Sequence, residues 1–307
     1  MIKKGTLKYY IAGVVAFVVW GAFAIPLKLL KAYSSMQILQ YRVFTALLII
    51  AAFLLIAGRA KMKADVAVFK SASRPEKLKL SGLILLSSIL LMSNWFTYIY
   101  AVNHVSLTSA AFAYMVCPLI TAFGGFFILK EHLTPLKLVA LGIALVSILL
   151  LATGSIIEVL WSVGIASVYA FYLIIQRFIK NIDKLNMLAI NLVIAAVLML
   201  PYFVMDGMAF PTEPVFWLVI LIIALLFTLV PLFLNLYALI ELPSSTLGII
   251  MYVNPIIAFL IAFLYFDEPF YLNQLLAYGL LVVAVIIFNW EVISSLLPSK
   301  RRVEEIK

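Results

Sequence analysis

Long apolar runs alternate with short polar connections along almost the whole chain. About 20 consecutive apolar residues are enough for a helix to cross the hydrocarbon core of a bilayer. With that length as the criterion, the pattern predicts ten membrane-spanning helices. They lie near residues 9–30, 36–57, 80–102, 107–129, 135–154, 156–176, 186–205, 214–238, 245–266 and 271–291. The least distinct boundary separates the fifth and sixth helices at residues 152–156, where no charged connection intervenes.

The composition places the chain among polytopic membrane proteins. Apolar residues make up 66% of it and charged residues only 11%, whereas about 25% of a soluble domain is charged. The basic N-terminus leads directly into an apolar run without a small-residue cleavage site, so we interpret it as an uncleaved first span. The single cysteine, Cys117, excludes an intramolecular disulfide. The predicted fold class is therefore all-α integral membrane.

The distribution of basic residues predicts the orientation, because short cytoplasmic loops collect Lys and Arg. With the N-terminus inside, all but three of the 22 basic residues fall in cytoplasmic segments. Lys28 and Lys31 lie outside, and Arg42 lies within a span. Both termini are therefore predicted to be cytoplasmic. The net charge of +9 follows from this membrane orientation, so no nucleic-acid partner is expected.

An internal repeat appears when the chain is shifted by 137 residues, which aligns Pro118 with Pro255 and Glu131 with Glu268. The shift spans five predicted helices, and an odd number of spans gives the two copies opposite orientations. Glu131 and Glu268 then end their helices at opposite faces, positions that fit a pair of gating or capping residues. The predicted units are residues 1–154 and 155–293, two inverted five-helix repeats, followed by a basic cytoplasmic tail, 294–307. Many secondary transporters bind substrate between inverted repeats.

Polar and aromatic residues recur at helical spacing inside several predicted spans, as expected for the lining of a cavity for small polar or amphipathic molecules. The candidate cavity residues are Trp20, Gln40, Tyr41, Arg42, Asn94, Tyr98, Tyr114, Cys117, Pro118, Tyr169, Tyr172, Gln176, Asn235, Tyr252, Asn254 and Pro255. Structural roles stay open, since buried amides often bond neighbouring helices. Pro118 and Pro255 each free a backbone carbonyl one turn earlier, which needs a partner or a watery cavity.

Arg42 is the most costly of these residues, because a guanidinium deep inside an apolar run is unfavourable by a few kcal/mol. Three interpretations remain open. Arg42 pairs with freed backbone carbonyls, or faces the cavity and attracts an anionic group, or extends its side chain outward to the interface. All thirteen acidic residues fall in connections, tails or helix ends, so no carboxylate at membrane depth is predicted to neutralise it.

Several segments together resemble the EamA branch of the drug/metabolite transporter superfamily, and within it the RarD-type permeases. They are WGAFAIPLKLL, ILQYRVF, SNWFTYIYAVNHVSLTSAAFAYMVCPLI, LKEHL, VPLFLNLYAL and SSTLGIIMYVNPIIAFLIAFLYFDEP, and the match runs from about residue 16 to residue 290. The resemblance implies ten helices in two inverted halves, a bacterial inner-membrane location, and alternating access around a central cavity. The first copy has Cys117 before its proline where the second has Asn254.

We therefore expect a multi-pass inner-membrane permease for amino acids or related zwitterionic or anionic metabolites, acting as an exporter or facilitator. The lack of an intramembrane carboxylate disfavours proton-coupled exchange of cationic drugs, although export of a drug or toxic compound is the alternative. An enzyme is less expected, because His104, His132 and Cys117 are isolated and no HExxH or GxSxG motif occurs. The expected partners are a small-molecule substrate and the lipid bilayer, with no cofactor or metal.

Overall fold

The fold is built from helices. A computed structural model of the chain describes residues 6–30, 32–104, 107–151, 156–205, 210–266, 272–290 and 293–294, and its regular secondary structure in these ranges is entirely helical. The α-helices are α1 (Leu7–Gly21), α2 (Ala24–Leu29), α3 (Ser35–Phe53), α4 (Arg59–Ser71), α5 (Arg74–His104), α6 (Leu107–Leu129), α7 (Pro135–Leu151), α8 (Ile156–Phe178), α9 (Lys184–Met205), α10 (Pro214–Ala224), α11 (Val230–Ala238), α12 (Ser244–Ile250), α13 (Val253–Phe266) and α14 (Leu272–Phe288). Two π-helical turns, Leu54–Gly58 and Leu225–Leu229, join α3 to α4 and α10 to α11.

Ten apolar helical segments occupy the places where the sequence predicts helices. Among the described residues, six are long and apolar enough to cross a membrane by length and composition: Leu7–Leu29, Met36–Ser71, Arg74–Tyr98, Leu160–Phe178, Lys184–Met205 and Pro214–Ala238. Four more are apolar but shorter: Ala113–Leu129, Pro135–Leu150, Ser244–Ala258 and Leu275–Phe288. The number of ten spans therefore stays a prediction, as do the inverted repeats. The boundary predicted at 152–156 lies almost wholly outside the described residues.

The polar stretch 58–79 differs from the expected connection, because most of it is helical. Helix α4 fills Arg59–Ser71, and α5 begins at Arg74, six residues before the predicted start of the third helix. A capping box explains this early start: the Glu76 carboxylate accepts hydrogen bonds from the backbone N–H (2.8 Å) and hydroxyl (2.7 Å) of Ser73. The Ser-x-x-Glu spacing of this cap is legible in the sequence.

Prolines interrupt two of the predicted spans. The first is interrupted at Ala22 and the ninth at Met251, in each case four residues before a proline, Pro26 or Pro255. Proline lacks the N–H that would reach that carbonyl, and its ring displaces it. The Met251 carbonyl accepts a hydrogen bond from the backbone N–H of Asn254 at 2.9 Å. The freed carbonyl is thus partly satisfied within the break.

A third proline, Pro231, follows the π-helical turn between α10 and α11. The carbonyl four residues before it belongs to Phe227, and the indole Nε1–H of Trp20 donates to this carbonyl at 3.0 Å. The hydroxyl of Thr228 donates to the Ile223 carbonyl, also at 3.0 Å. Backbone groups freed in the membrane are therefore satisfied by side chains, as lipid requires.

The helices of the two predicted halves pack mainly on each other. Helix α6 contacts α8 and α12, α7 contacts α14, α1 contacts α11 and α13, and α3 contacts α9 and α10. Helix α1 approaches α13 closely at Gly21, where a Cβ would lie 2.6 Å from Cβ of Ile257 and 2.9 Å from the carbonyl oxygen of Asn254. A side chain at position 21 would push these helices apart.

Connections that the charge distribution assigns to one side of the membrane contact each other. On the predicted cytoplasmic side, Lys61 of α4 forms an ion pair with Asp183 (2.9 Å), and the Asp65 carboxylate accepts hydrogen bonds from the Asp183 backbone N–H and the Asn186 amide. These contacts of Lys61 and Asp65 fasten the basic helix α4 to the connection between α8 and α9. At the opposite end of the helices, a cleft of about 510 Å³ lies between residues 33–37 and residues 210–213.

Candidate substrate-binding site

Arg42 of α3 lies against aromatic rings rather than against a carboxylate. Its guanidinium carbon is 4.9 Å from the ring centroid of Trp95 on α5 and 5.4 Å from that of Phe23. Tyr98 and Tyr114 lie near the guanidinium as well. Cation–π contacts of this kind contribute roughly 0.5–2 kcal/mol each. The rings of Phe23 and Trp95 thus partly compensate the cost of placing the charge in an apolar helix.

The nitrogens of Arg42 keep donor capacity for a ligand. Within the described part of the chain, no hydrogen bond or ion pair to Arg42 is present, and its buried Nε has no partner. A guanidinium carries five N–H donors in a planar fork. The side chain remains partly exposed although it lies within an apolar helix. No backbone carbonyl among the described residues accepts from Nε of Arg42, and the role of Arg42 stays a prediction.

A chain of aromatic rings leads from Arg42 across the interface between the halves; we call it the aromatic column. Tyr98 lies 5.5 Å from Tyr114, and Tyr114 lies 6.5 Å from Tyr169, between ring centroids. Tyr169 in turn contacts Trp20 at 6.4 Å and Tyr172 at 5.6 Å. These five residues come from α1, α5, α6 and α8, and all five are among the candidates named from the sequence.

Buried amides hold the aromatic column in place. The Asn235 side chain donates to the hydroxyl of Tyr169 at 3.1 Å, and that of Asn94 donates to the Ile165 carbonyl at 3.2 Å. Both amides are at most 1% exposed. Their contacts are those of interhelical bonds, which typically contribute about 0.6 kcal/mol each. Asn94 and Asn235 therefore position α5, α8 and α11 in this structure.

Two glutamines are buried without being satisfied in full. Gln40 is fully buried, and neither of its amide atoms has a partner among the described residues. It lies about 200° around the axis of α3 from Arg42, so the two side chains project from different faces. Gln176 is 1% exposed, and neither of its amide atoms has a partner among the described residues. An unpaired buried amide costs about 1–3 kcal/mol.

Tyr41 belongs to a different cluster from Arg42, although the two are adjacent in sequence. Its ring contacts Phe203 at 5.8 Å, Phe216 at 5.4 Å and Trp217 at 5.2 Å, all edge to face. These residues belong to α9 and α10. Consecutive helical positions point about 100° apart, which explains the separation. The structure therefore places Tyr41 with α9 and α10 rather than with the aromatic column.

The remaining candidates line the contact between α6 and the interrupted α12–α13 helix. Cys117 and Tyr252 are fully buried, and Sγ of Cys117 lies 3.7 Å from Oγ1 of Thr121. Pro118 and Pro255 are buried as well, whereas Asn254 is partly exposed. The carbonyl of Pro118 lies 3.3 Å from where Gly248 would carry a Cβ. This group is a tightly packed helix crossing beside the aromatic column.

Two residues that contact Arg42 were absent from the sequence-based candidates, Phe23 and Trp95. Trp95 lies three residues before Tyr98 on α5, so helical spacing contains a signal for it. Phe23 lies in the break between α1 and α2, where regular periodicity no longer predicts a face. Only the packing of the break against α3 brings its ring to the guanidinium.

Comparisons with known proteins agree with this architecture. A model of the EamA-like transporter family matches residues 7–153 and 156–290. The chain is similar to the uncharacterized transporter YojE of Bacillus subtilis, 31% identical over 300 residues covering 94% of each chain. It is also similar to protein RarD of Streptomyces exfoliatus, 29% identical over 298 residues covering 94% of this chain and 90% of the relative. A solved crystal structure superposes with a TM-score of 0.74 at 15% identity, covering 92% of this chain and 97% of the other, and shows the fold alone.

Proposed function

Because the chain belongs to the EamA-like transporter family, we propose that it is a permease that moves small zwitterionic or anionic metabolites, such as amino acids, by alternating access. It is a multi-pass protein of the bacterial inner membrane. The observation that carries the substrate class is the environment of Arg42, a cation held by aromatic faces with no carboxylate partner among the described residues.

A carboxylate is the ligand that fits this environment best. Arginine and carboxylate form paired, parallel N–H···O bonds whose strength is roughly twice that of neutral hydrogen bonds. The guanidinium lies over the ring faces of Trp95 and Phe23. The N–H groups in the guanidinium plane are therefore available to an acceptor. Binding an anion also removes the cost of an unneutralised charge in the membrane. The rings of Tyr98 and Tyr114 would flank the rest of the substrate.

The proposed mode of transport rests on the absence of acidic residues from the interiors of the predicted spans. All thirteen acidic residues of the sequence fall in connections, tails or helix ends. A proton-coupled carrier of cations uses a carboxylate within the membrane to exchange proton and substrate. We therefore propose a facilitator or exporter that recognises its substrate through a fixed positive charge.

The test is counterflow of labelled amino acids in proteoliposomes, comparing the unmodified protein with Arg42→Ala and with Lys63→Ala as the matched control. Lys63 is an exposed basic residue of α4, outside the apolar helix that carries Arg42. Loss of a charged hydrogen bond costs about 1.5–3 kcal/mol, so the apparent affinity of Arg42→Ala should fall roughly 10- to 150-fold. Lys63→Ala should transport normally.

Uptake that is unchanged in Arg42→Ala would refute the role of Arg42 as the carboxylate-binding residue. Strict dependence of flux on an imposed pH gradient would refute facilitation. Chemical conversion of the labelled solute by the purified protein would indicate an enzyme instead. Transport of a neutral or cationic antibiotic without any amino-acid flux would favour the drug exporter.

A further inference from the structure

The connection between α11 and α12 is held at one end by a carboxylate from the other half of the chain. Oε1 of Glu131 accepts hydrogen bonds from the backbone N–H of Ser244 at 2.7 Å and from its hydroxyl at 2.9 Å. Oε2 of Glu131 accepts a third bond from the backbone N–H of Ser245 at 2.9 Å. Glu131 follows α6, so these three bonds join the first predicted half to the second.

The same connection is held at its other end by a guanidinium. Nη1 of Arg177, in the last turn of α8, donates to the carbonyl of Leu239 at 2.6 Å and to that of Ile240 at 3.3 Å. We call residues 239–245 the 239–245 connection. Its first two carbonyls accept hydrogen bonds from Arg177, and its last two backbone N–H groups donate hydrogen bonds to Glu131. Charged groups make the stronger class of hydrogen bonds, and here two opposite charges hold the two ends of a seven-residue segment.

The backbone that carries Glu131 adopts a specific conformation for this contact. Lys130 has φ of 54°, the left-handed region, which costs a residue other than glycine about 1–3 kcal/mol. The turn directs Glu131 back along α6, and its N–H donates to the Gly125 carbonyl at 3.1 Å. A Cβ on Gly125 would lie 2.5 Å from Oε2 of Glu131 and 2.7 Å from the hydroxyl of Ser244. Only glycine leaves space for the carboxylate at this point.

We infer that Glu131 and Arg177 form a gate on the side that the basic residues predict to be cytoplasmic. Closed, the gate fixes the 239–245 connection beneath α6 and α8; open, it releases α12 from α6 and gives the cytoplasm access to the aromatic column. The inference rests on the proposed alternating access. Glu268, the counterpart of Glu131 in the sequence repeat, lies outside the described residues.

The position of α12 explains how release would reach the interior. Helix α12 packs along α6, and at Gly248 a Cβ would lie 2.9 Å from Cβ of Thr121. Thr121 is one turn from Cys117, which is fully buried and is the only cysteine of the chain. A movement of α12 away from α6 therefore uncovers the face of α6 that carries Cys117. The native thiol is a reporter of the gate.

The experiment measures the rate at which a membrane-impermeant maleimide labels Cys117 in inverted membrane vesicles, whose cytoplasmic face is outward. Glu131→Gln removes the charge that holds two backbone amides. Loss of charged bonds of this class shifts a two-state equilibrium roughly tenfold or more, so labelling should accelerate by about that factor. Glu241→Gln is the matched control, because Glu241 is an exposed carboxylate on the same connection.

A second variant keeps the test decisive if Glu131→Gln folds poorly. Ser244→Pro removes the N–H and hydroxyl donors of Ser244 without changing Glu131. Proline is tolerated in the first position of a helix, and the preceding Pro243 already has the extended backbone, φ −56° and ψ 149°, that a following proline requires. Labelling of Cys117 should accelerate in this variant too, with folding verified by its thermal transition.

Faster labelling in Glu131→Gln and Ser244→Pro, with Glu241→Gln at the unmodified rate, supports the gate. Unchanged labelling in both folded variants overturns it, as does acceleration seen only from the opposite face in right-side-out vesicles. The readout needs no substrate. If labelling shifts while amino-acid counterflow is absent, the substrate assignment fails and the gate stands; if counterflow is normal while labelling never shifts, the gate fails alone.

Discussion

The hydrogen bond from Trp20 to the Phe227 carbonyl should depend on Pro231, which leaves this carbonyl without its helical donor. Pro231 provides no N–H to that carbonyl, four residues before it, and the indole of Trp20 donates to it at 3.0 Å instead. Replacing Trp20 by Phe keeps an aromatic ring but leaves the carbonyl without its partner. An orphaned buried acceptor costs about 1–3 kcal/mol, so the free energy of unfolding should fall by that amount.

The cost should become smaller when position 231 regains a backbone donor. In a Pro231→Ala background, the alanine N–H reaches the Phe227 carbonyl through an ordinary helical bond, and Trp20→Phe then removes a redundant donor. We expect a coupling free energy of about 1–2 kcal/mol between the two substitutions, within the range found for residues that share one hydrogen-bond network. The measurement is a double-mutant cycle on reversible unfolding in mixed detergent micelles, followed by circular dichroism.

Trp217 is the matched control for this cycle. Its indole also donates to a backbone carbonyl at 3.0 Å, that of Pro211, but this carbonyl precedes α10 and is not freed by Pro231. Trp217→Phe and Pro231→Ala should therefore add within about 0.5 kcal/mol. A cycle in which Trp20→Phe and Pro231→Ala are equally additive would refute the explanation that Trp20 satisfies a carbonyl freed by proline.

Three further predictions use the same unfolding measurement. Tyr169→Phe removes the acceptor of the Asn235 amide and should lower the free energy of unfolding by about 1 kcal/mol; no loss would show that Asn235 finds another partner. Gly21→Ala should cost about 1–3 kcal/mol through overpacking, whereas Gly142→Ala, with open space at its Cβ, should be neutral or stabilising. Asp65→Asn should cost about 1 kcal/mol, because Asp65 accepts bonds from the connection that follows α8; an unchanged stability would show that α4 is not fastened there.

The sequence determined where the helices lie, because a chain in lipid must satisfy its backbone internally and an apolar run of sufficient length has few alternatives to a helix. Each of the predicted spans overlaps an observed helix. Pro255 was recognised as freeing a backbone carbonyl, whereas the Ser73–Glu76 cap and the break before Pro26 were not predicted, although their signals also lie within one turn. What these signals share is that their physical cause is local.

The sequence analysis also named all five residues of the aromatic column among its candidates, and it named Arg42 as the charge without a carboxylate partner. Helical periodicity groups residues by face, and an amphipathic face in a membrane protein is turned toward other helices. The same periodicity did not show that Tyr41 packs with Phe216 and Trp217, and it omitted Phe23. Neighbouring residues determine which side chains share a helix face, but they do not determine which helix packs against that face.

Only the tertiary structure decided which groups meet across the two halves. The contact of Glu131 with Ser244 and Ser245 joins residues more than a hundred positions apart, and the Trp20 bond to Phe227 spans still more. Nothing local specifies these pairs, because each depends on how α1, α6, α8 and the 239–245 connection pack together. Composition and periodicity set which side chains each helix offers, and the packing of the helices sets which of them meet.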